Sequence, residues 1–341
     1  MTLEMGLDTF GDMTNGPDGR PLSHAQVVRN VVEQGVEADA SGVDFIGIGE
    51  HHRADFAISA PEVVLAAIAA RTRRIRLGSA VTVLSSDDPI RVFQRFSTLD
   101  AISSGRAEVI LGRGSFTESF PLFGYDLGDY EQLFTEKLDL FARLAREPKV
   151  TWKGTIHPGL KAQEVFPPME HGPLKAWIGV GGSPESVIRA ANYEMPLMLA
   201  IIGGAPARFR PYVDLYLQTF EAQGKTPPPI GVHSPGHVAA TDHEAREQFF
   251  TGYKIQHDLV GKSRGWPPLS RQDFDRECDR GSLYVGSPET VAQKIARTAR
   301  ALSLSRFDLK YSGGPVPHGI TMEGIRLYGT EVIPRVRELL V

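Results

Sequence analysis

The chain has 341 residues and a formal net charge of −4, and its hydrophobic fraction of 41% is enough for a sizeable core. The charge gives no sign of a polyanionic partner such as a nucleic acid, and no apolar run is long enough to span a membrane. The single cysteine, Cys278, cannot form an intrachain disulfide, so we expect a soluble protein of the reducing cytoplasm.

The first half of the chain alternates short apolar segments with amphipathic ones. Helices are predicted from Ser23, Pro61 and Pro89, because serine suits the N-cap and proline suits the first helical turn. Gly105 ends the third of these helices, where a left-handed C-cap is favoured. The predicted strands are 5–10, 43–49, 75–81 and 107–111.

The second half continues the alternation with longer connections. A helix over about 129–146 and a proline-bearing excursion to Pro173 precede the fifth strand. The polar stretch 264–281 is expected to be an irregular insertion, and further helices begin at Pro288 and end near Leu340. The predicted strands are 177–179, 197–202, a seventh that starts with 230–233, and 307–312.

Eight short, continuously apolar strands alternating with helices predict a closed parallel (β/α)8 TIM barrel with insertions in its strand-to-helix loops. We expect one domain over residues 1–341. An open doubly wound sheet is the alternative, but the count of eight and the lack of a compact second domain favour the barrel. In a barrel, ligands bind where the strands end and the following loops begin, and this rule selects the candidate site residues.

An anion site is predicted after the fifth strand, where a glycine turn leads into a helix. Gly181 and Gly182 let backbone amides approach a ligand, and Ser183 suits the N-cap with Ser186 one turn further on. Free amides and the helix dipole favour an anion there. Arg113, flanked by glycines after the fourth strand, can turn its guanidinium to the same place. These groups predict a phosphate monoester site, the alternative being an ordinary capped connection.

A candidate catalytic residue follows the second strand, which ends in Gly49-Glu50-His51-His52-Arg53. Residues alternate faces along a strand, so at most one of the two histidines needs to face the barrel mouth. An imidazole there can act as a general base near neutral pH, the alternative being a structural histidine in a polar loop. Neighbouring histidines lack the spacing of a helical zinc pair, so no metal site is predicted.

The end of the third strand combines small residues with bulkier ones, in the run Gly78-Ser79-Ala80-Val81. A flat aromatic ligand can lie against such a segment, although the same pattern suits packing in the barrel core. The motifs described above occur together in the bacterial-luciferase-like flavin-dependent oxidoreductases, which this chain resembles from its first strand to its last helix. The resemblance rests on Glu50-His51-His52, Gly78-Ser79-Ala80-Val81, 99–106, Gly112-Arg113-Gly114, 182–186 and 286–295.

The resemblance implies a homodimeric barrel that uses reduced FMN, supplied by a separate flavin reductase, and often O2. It places the active-site histidine at His51 and the flavin ring near Ser79, Ala80 and Val81, where the family often has a non-proline cis peptide. The flavin phosphate would lie at Arg113, Gly182, Ser183 and Ser186. The predicted cofactor-binding set is Glu50, Ser79, Ala80, Val81, Arg113, Gly181, Gly182, Ser183 and Ser186.

One departure from the family limits the predicted reaction. Luciferase carries a reactive cysteine where this chain has Gly112, so light emission from a long-chain aldehyde is not implied. Part of the family uses a deazaflavin, which the phosphate site does not separate from FMN. No glycine-rich dinucleotide fingerprint follows the first strand, so a dedicated NAD(P)H domain is not predicted.

We therefore predict an FMN-dependent monooxygenase acting on a small organic substrate. The alternatives are a deazaflavin-dependent dehydrogenase and a non-catalytic flavin-binding homologue. A phosphosugar-binding barrel is disfavoured because Lys310 alone suits a strand end, and there we expect a rim or ion-paired residue. The loops 116–130, 153–173 and 264–283 are expected to select the substrate, with Phe116, Phe120 and Phe123 forming an apolar wall.

Overall fold

Eight parallel strands form a closed barrel in the computed structural model, which describes residues 3–16, 18–114 and 116–341. The strands pair in chain order around the barrel, and the ring closes where the first strand pairs with the last. The predicted (β/α)8 TIM barrel is confirmed and the open sheet is excluded. The strands are β1 (Glu4–Thr9), β2 (Phe45–Ile48), β3 (Arg76–Ser79), β4 (Ala107–Gly112), β5 (Lys175–Val180), β6 (Leu197–Ala200), β7 (Ile230–Val238) and β8 (Arg306–Lys310).

Helices cover the outside of the barrel. Before the first of them, the Ser23 side chain accepts a hydrogen bond from the backbone N–H of Gln26, as expected of an N-cap. The third ends where Ser104 and Gly105 both have positive φ, so the left-handed ending is confirmed. The helices are α1 (His24–Ala40), α2 (Pro61–Ala69), α3 (Pro89–Ser103), α4 (Ser119–Phe123), α5 (Tyr130–Leu144), α6 (Pro184–Asn192), α7 (Arg210–Ala222), α8 (Asp242–Arg264), α9 (Arg271–Arg280), α10 (Pro288–Leu302), α11 (His318–Leu327) and α12 (Ile333–Leu339).

Two segments interrupt the regular alternation. An antiparallel hairpin of Val150–Trp152 and Leu160–Gln163 lies between α5 and β5, so this insertion is in a helix-to-strand connection. After β7 the chain forms α8, α9 and a short strand, Tyr284–Gly286, that pairs with the end of β7. The expectation that 264–281 is irregular is wrong, because α9 buries Phe274 and Cys278 in a local apolar cluster.

A packed floor closes the barrel interior below its mouth. Trp177 and Met198 pack there with Phe45, and the fully buried Arg306 pairs with Glu108 and Asp308. The Arg306 guanidinium carbon lies 3.4 Å from the centroid of the Phe45 ring. Ligands therefore have access from the carboxyl ends of the strands. Within the described ranges, no helix has both the length and the apolarity needed to cross a bilayer.

Candidate active site

A cavity of about 390 Å³ lies at the carboxyl ends of the strands. All eight strands or the residues just after them contribute to its lining, together with α8 and the loop that begins at Phe116. Its walls are mostly apolar, with polar side chains grouped at a few positions. This placement agrees with the strand-end rule that selected the candidate residues. Those that line the cavity are Glu50, His51, Ala80, Val81 and Gly181.

His51 lies in an aromatic cluster on the cavity wall. Its ring stacks on Phe56 at a centroid distance of 4.2 Å and tilts against Phe10 at 4.8 Å. The edge of Phe116 completes the cluster at 4.9 Å. Nδ1 of His51 lies 3.7 Å from Oε1 of Glu118. Burial raises the pKa of Glu118, but the nearby imidazole lowers it, and the net pKa is below the usual value. The arrangement fixes the ring and leaves it a carboxylate partner.

His52 also lines the cavity, so the expectation that only one of the two histidines would face the mouth is wrong. Strand β2 ends at Ile48, and strict alternation no longer applies three residues beyond it. Nε2 of His52 lies 2.8 Å from Oε1 of Glu50, and this hydrogen bond raises the pKa of His52 against the opposing effect of burial. Among the described residues, no three metal-ligating side chains are grouped to hold an ion.

The floor of the cavity includes Ala80 and Val81, which are joined by a cis peptide bond. Ser79 is elsewhere: its hydroxyl is buried and donates to the backbone carbonyl of Ile110, so the structure does not bring it to the cavity. A Cβ atom at Gly112 would lie 2.5 Å from a methyl group of Val81. This contact gives a physical reason for a glycine at the position where luciferase has a cysteine.

The predicted anion site lies at the N-terminus of α6, next to the cavity through Gly181. The Ser183 hydroxyl caps the helix by accepting from the backbone N–H of Ser186 at 3.3 Å, and it donates to Glu185. Ser183 is therefore engaged within the protein. The Ser186 hydroxyl is buried and makes no hydrogen bond to any described residue. The cap is confirmed, and of the two hydroxyls that of Ser186 is the one without a hydrogen-bond partner among the described residues.

Two arginines meet one carboxylate beside this helix. Nη1 of Arg113 donates to Glu131, and Nη2 of Arg189 donates to the other oxygen of Glu131 at 2.9 Å. Nη1 of Arg189 is buried and has no hydrogen-bond partner among the described residues. The sequence analysis missed Arg189, although its position three residues after Ser186 places both on one face of the helix.

The wall formed by β1, β7 and β8 carries polar residues that the sequence analysis did not select. Nδ1 of His233 lies 2.6 Å from Oδ2 of Asp8, and Nζ of Lys310 lies 3.2 Å from Oδ2 of Asp12. Lys310 is buried and ion-paired, which confirms one of its two predicted roles. It also lines the cavity, which was not predicted. His233 belongs to the run 230–233 that was predicted to start the seventh strand, and it lies within β7 rather than at its end, so the strand-end rule did not select it.

The substrate loops are only partly where they were expected. Phe116 lines the cavity between the guanidinium groups of Arg53 and Arg264, which lie 5.0 and 4.9 Å from its ring centroid. Phe120 is fully buried and Phe123 is half exposed, so the predicted apolar wall reduces to Phe116. The segment 153–173 is absent from the described lining, because it packs outside on α5, where Glu136 accepts from its backbone. From 264–283, the lining includes Arg264 and Trp266.

Several known proteins with similar sequences are monooxygenases. A sequence model of luciferase-like monooxygenases matches residues 9–305. The N-acetyl-S-alkylcysteine monooxygenase of Bacillus subtilis (strain 168) is 29% identical over 302 residues, which are 85% of this chain and 88% of that protein. Alignments with several other curated relatives cover only 29–42% of the length of those proteins.

Solved structures show the same barrel. The monooxygenase RslO1 from Streptomyces bottropensis has a TM-score of 0.84 at 23% identity, over 97% of this chain and 99% of that one. The oxygenating constituent of 3,6-diketocamphane monooxygenase from Pseudomonas putida, solved with FMN, has a TM-score of 0.78 at 20% identity, over 98% and 99%. An F420-dependent secondary alcohol dehydrogenase has a TM-score of 0.75 at 18% identity, over 98% and 99%. At these identities the likeness shows a shared fold.

A strand-end cavity beside the N-terminus of a helix is the arrangement of a barrel that binds a small cofactor or substrate. The sequence match over 9–305 shows more: the chain belongs to the luciferase-like monooxygenase family. The resemblance predicted from its motifs is confirmed, and the family places the protein among the oxidoreductases.

Proposed function

We propose that the protein is an FMN-dependent monooxygenase of the cytoplasm, which takes reduced flavin from a separate reductase and oxidises a small organic molecule with O2. The observation that supports this best lies at the start of α6. There the Ser186 hydroxyl and Nη1 of Arg189 are buried without a hydrogen-bond partner among the described residues. Buried polar groups are almost always satisfied in folded proteins, so this pair fits a site that an anion completes.

The residues around this pair are compatible with the phosphate of FMN. No described atom lies within 4 Å of the place where a side chain at Gly181 would begin, which leaves room for a ligand against the backbone. Gly182 has a φ of +112°, a conformation that glycine adopts readily. Arg113 adds a second guanidinium, and its several N–H donors let it contact Glu131 and a phosphate at once.

The cavity beyond Gly181 has the character that a flavin ring and a small substrate require. Ala80 and Val81 offer a small-residue floor, and Phe56, Phe116 and Trp266 lie among the apolar lining residues. Reduced FMN, when bound, supplies the electrons that activate O2. The apolar side chains exclude water from the reacting groups. His51 can hold or transfer a proton at Nδ1, which lies 3.7 Å from Oε1 of Glu118.

A deazaflavin-dependent dehydrogenase is the second candidate. The F420-dependent secondary alcohol dehydrogenase has the same fold, and a phosphate site at α6 does not distinguish between the two coenzymes. Such an enzyme would transfer a hydride without O2. A protein that stores flavin without turnover is the third candidate.

Absorbance titrations of the purified protein test these candidates. FMN and a deazaflavin coenzyme are added separately, in oxidised and in reduced form, and O2 consumption is followed after the reduced form is added. The proposal expects FMN binding and O2 consumption with reduced FMN. Binding of the deazaflavin alone would favour the dehydrogenase. FMN binding that leaves the rate of flavin oxidation equal to that of free flavin would favour storage.

A further inference from the structure

Asp8 and His233 form a polar pair on the cavity wall, on the opposite side of the barrel mouth from the predicted anion site at α6. His233 on β7 is 9% exposed, and its Nδ1 lies 2.6 Å from Oδ2 of Asp8 on β1, which is buried. Three barrel strands separate β1 from β5 in either direction. The carboxylate of the pair is therefore on the strand diametrically opposite the one that leads into α6.

The contact with Asp8 selects the tautomer of the neutral imidazole. An ionised carboxylate only accepts hydrogen bonds, so the proton is on Nδ1 of His233 and is donated to Asp8. Nε2 then carries a lone pair, and it makes no hydrogen bond to any described residue. Because His233 lines the cavity, this lone pair is available to a ligand there. Phe10 stacks on the ring at 5.9 Å with an interplanar angle of 10°, which holds its orientation.

Several charged groups surround this pair. Asp308 on β8 is the strand-register partner of His233 on β7. Burial raises the pKa of Asp308 to about 6 against the opposing effect of Arg306. Lys310, further along β8, donates to Asp12 and lies 4.6 Å above the Phe10 ring. Titratable side chains elsewhere on the cavity wall include Tyr253 and His257 on α8, and His51 on the far side of Phe10.

We propose that Asp8 and His233 form an acid–base pair that removes the proton of an acidic hydroxyl on the substrate, which makes phenols and enols the substrate class. This inference rests on the proposed monooxygenase function. The substrate O–H bond breaks and leaves its electron pair on oxygen, while an N–H bond forms at Nε2. Asp8 stabilises the resulting imidazolium. The substrate oxyanion is richer in electrons and reacts more readily with the oxygen atom that O2 and reduced FMN supply.

The chemistry of the wall favours phenols and enols over other hydroxyl compounds. Proton transfer to an imidazole is efficient when the acidity of the donor is close to that of the imidazolium, and aliphatic alcohols are far weaker acids. A cavity of about 390 Å³ with aromatic walls suits a small ring. The pair also lies away from α6, so a substrate hydroxyl can reach Nε2 while a cofactor phosphate is bound at the helix.

The test uses 4-nitrophenol, whose absorbance reports its own ionisation. The full-length protein, with and without FMN, is added in excess to the probe below the pH at which free probe ionises. We expect bound probe to be more ionised than free probe. In His233→Gln the ratio of phenolate to phenol should fall at least about tenfold, which corresponds to one pKa unit. Asp8→Asn should act similarly, because an amide donates to Nδ1 and moves the proton to Nε2.

His237→Gln is the matched control. His237 lies four residues further along β7, is buried, and contacts Gln248 rather than this cavity. This variant should ionise the probe as the unaltered protein does. Equal ionisation in His233→Gln and the unaltered protein would overturn the proposal. Failure of the probe to bind would also overturn it.

The FMN titration separates this inference from the function on which it rests. If probe ionisation depends on His233 but the protein never binds FMN, the proposed monooxygenase function is overturned and the role of His233 as a base is retained. FMN binding and O2 consumption, together with probe ionisation that does not depend on His233, would keep the monooxygenase function and overturn the role of His233 as a base. Once a substrate is identified, His233→Gln should lower kcat by roughly 10²–10⁴-fold and remove the acidic limb of the kcat pH profile.

Discussion

Nε2 of His52 lies 2.8 Å from Oε1 of Glu50, and the other oxygen of Glu50 accepts a hydrogen bond from the backbone N–H of Val83. Val83 follows the cis-linked Ala80 and Val81 by two residues. Glu50 therefore ties the loop after β2 to the segment after β3. This contact explains why two polar residues predicted from one motif both face the cavity.

We expect His52 to titrate above the ordinary histidine pKa of 6.5, since its hydrogen bond to Glu50 outweighs burial. A raised pKa stabilises the fold only while the imidazole is protonated. The contribution is thus complete below pH 6.5 and is lost as the pH rises through the folded-state pKa. An NMR titration of the histidine ring signals checks this. Glu50→Gln should lower the pKa of His52, and a value of 6.5 or less in the unaltered protein would contradict the prediction.

Arg113→Ala should weaken FMN binding by about 1.5–3 kcal/mol, the scale of a hydrogen bond to a charged group. Ser186→Ala should weaken it by about 0.5–1.5 kcal/mol, as for a neutral hydrogen bond. Titration calorimetry with FMN measures both changes. Glu131→Gln is the control, because it removes a negative charge beside Arg113 and removes no donor to the phosphate, so FMN affinity should stay equal or rise. Unchanged affinity in Arg113→Ala would remove this residue from the site.

His51→Ala should leave FMN affinity nearly intact, because the anion site lies at α6. Oxygenation of the substrate should fall by roughly 10²–10⁴-fold, with release of hydrogen peroxide taking over. Stopped-flow oxidation of bound reduced FMN, with peroxide quantified, measures this change.

His51→Phe separates proton transfer from packing. A phenyl ring can keep the stacking contact with Phe56 but has no ring nitrogen. We expect this variant to be as uncoupled as His51→Ala, with a higher melting temperature. Full coupling in His51→Phe would show that the ring acts through packing alone.

Gly112→Ala should lower the free energy of unfolding by about 1–3 kcal/mol, because its methyl group would overlap the Val81 side chain at 2.5 Å. Gly319→Ala is the matched control: no described atom lies within 4 Å of its Cβ position, and it lies in α11. Chemical denaturation of both variants checks the contrast. Equal stability would mean that Val81 moves without cost.

A homodimer is expected through the 60–71 and 89–103 segments, and a mass of twice 37.3 kDa by light scattering would support it. Val63 on α2 and Ile102 on α3 lie in these two segments and are 69% and 51% exposed, so both are accessible to a partner subunit. Val63→Glu should shift the equilibrium towards monomer. Leu122→Glu, on α4 and 61% exposed, should not. A monomeric unaltered protein at micromolar concentration would refute the dimer.

The barrel, the position of His51 and the capped start of α6 could be predicted because they depend on local patterns. Strand and helix periodicity, proline at helix starts and Ser183 as an N-cap all act within a few residues. The strand-end rule then converts position in the chain into position in space. The positions of His51 and of the predicted anion site at α6 follow from it without any knowledge of packing, and their roles stay predictions.

Tertiary structure decided what those patterns leave open. Asp8 and His233 are 225 residues apart, and only closure of the barrel through β8 brings their side chains together. His52 faces the cavity because Glu50 holds it there, not because of strand alternation. The 153–173 segment lies outside because its hairpin packs on α5. Local propensity sets which elements form, whereas contacts between distant elements set which side chains share the cavity.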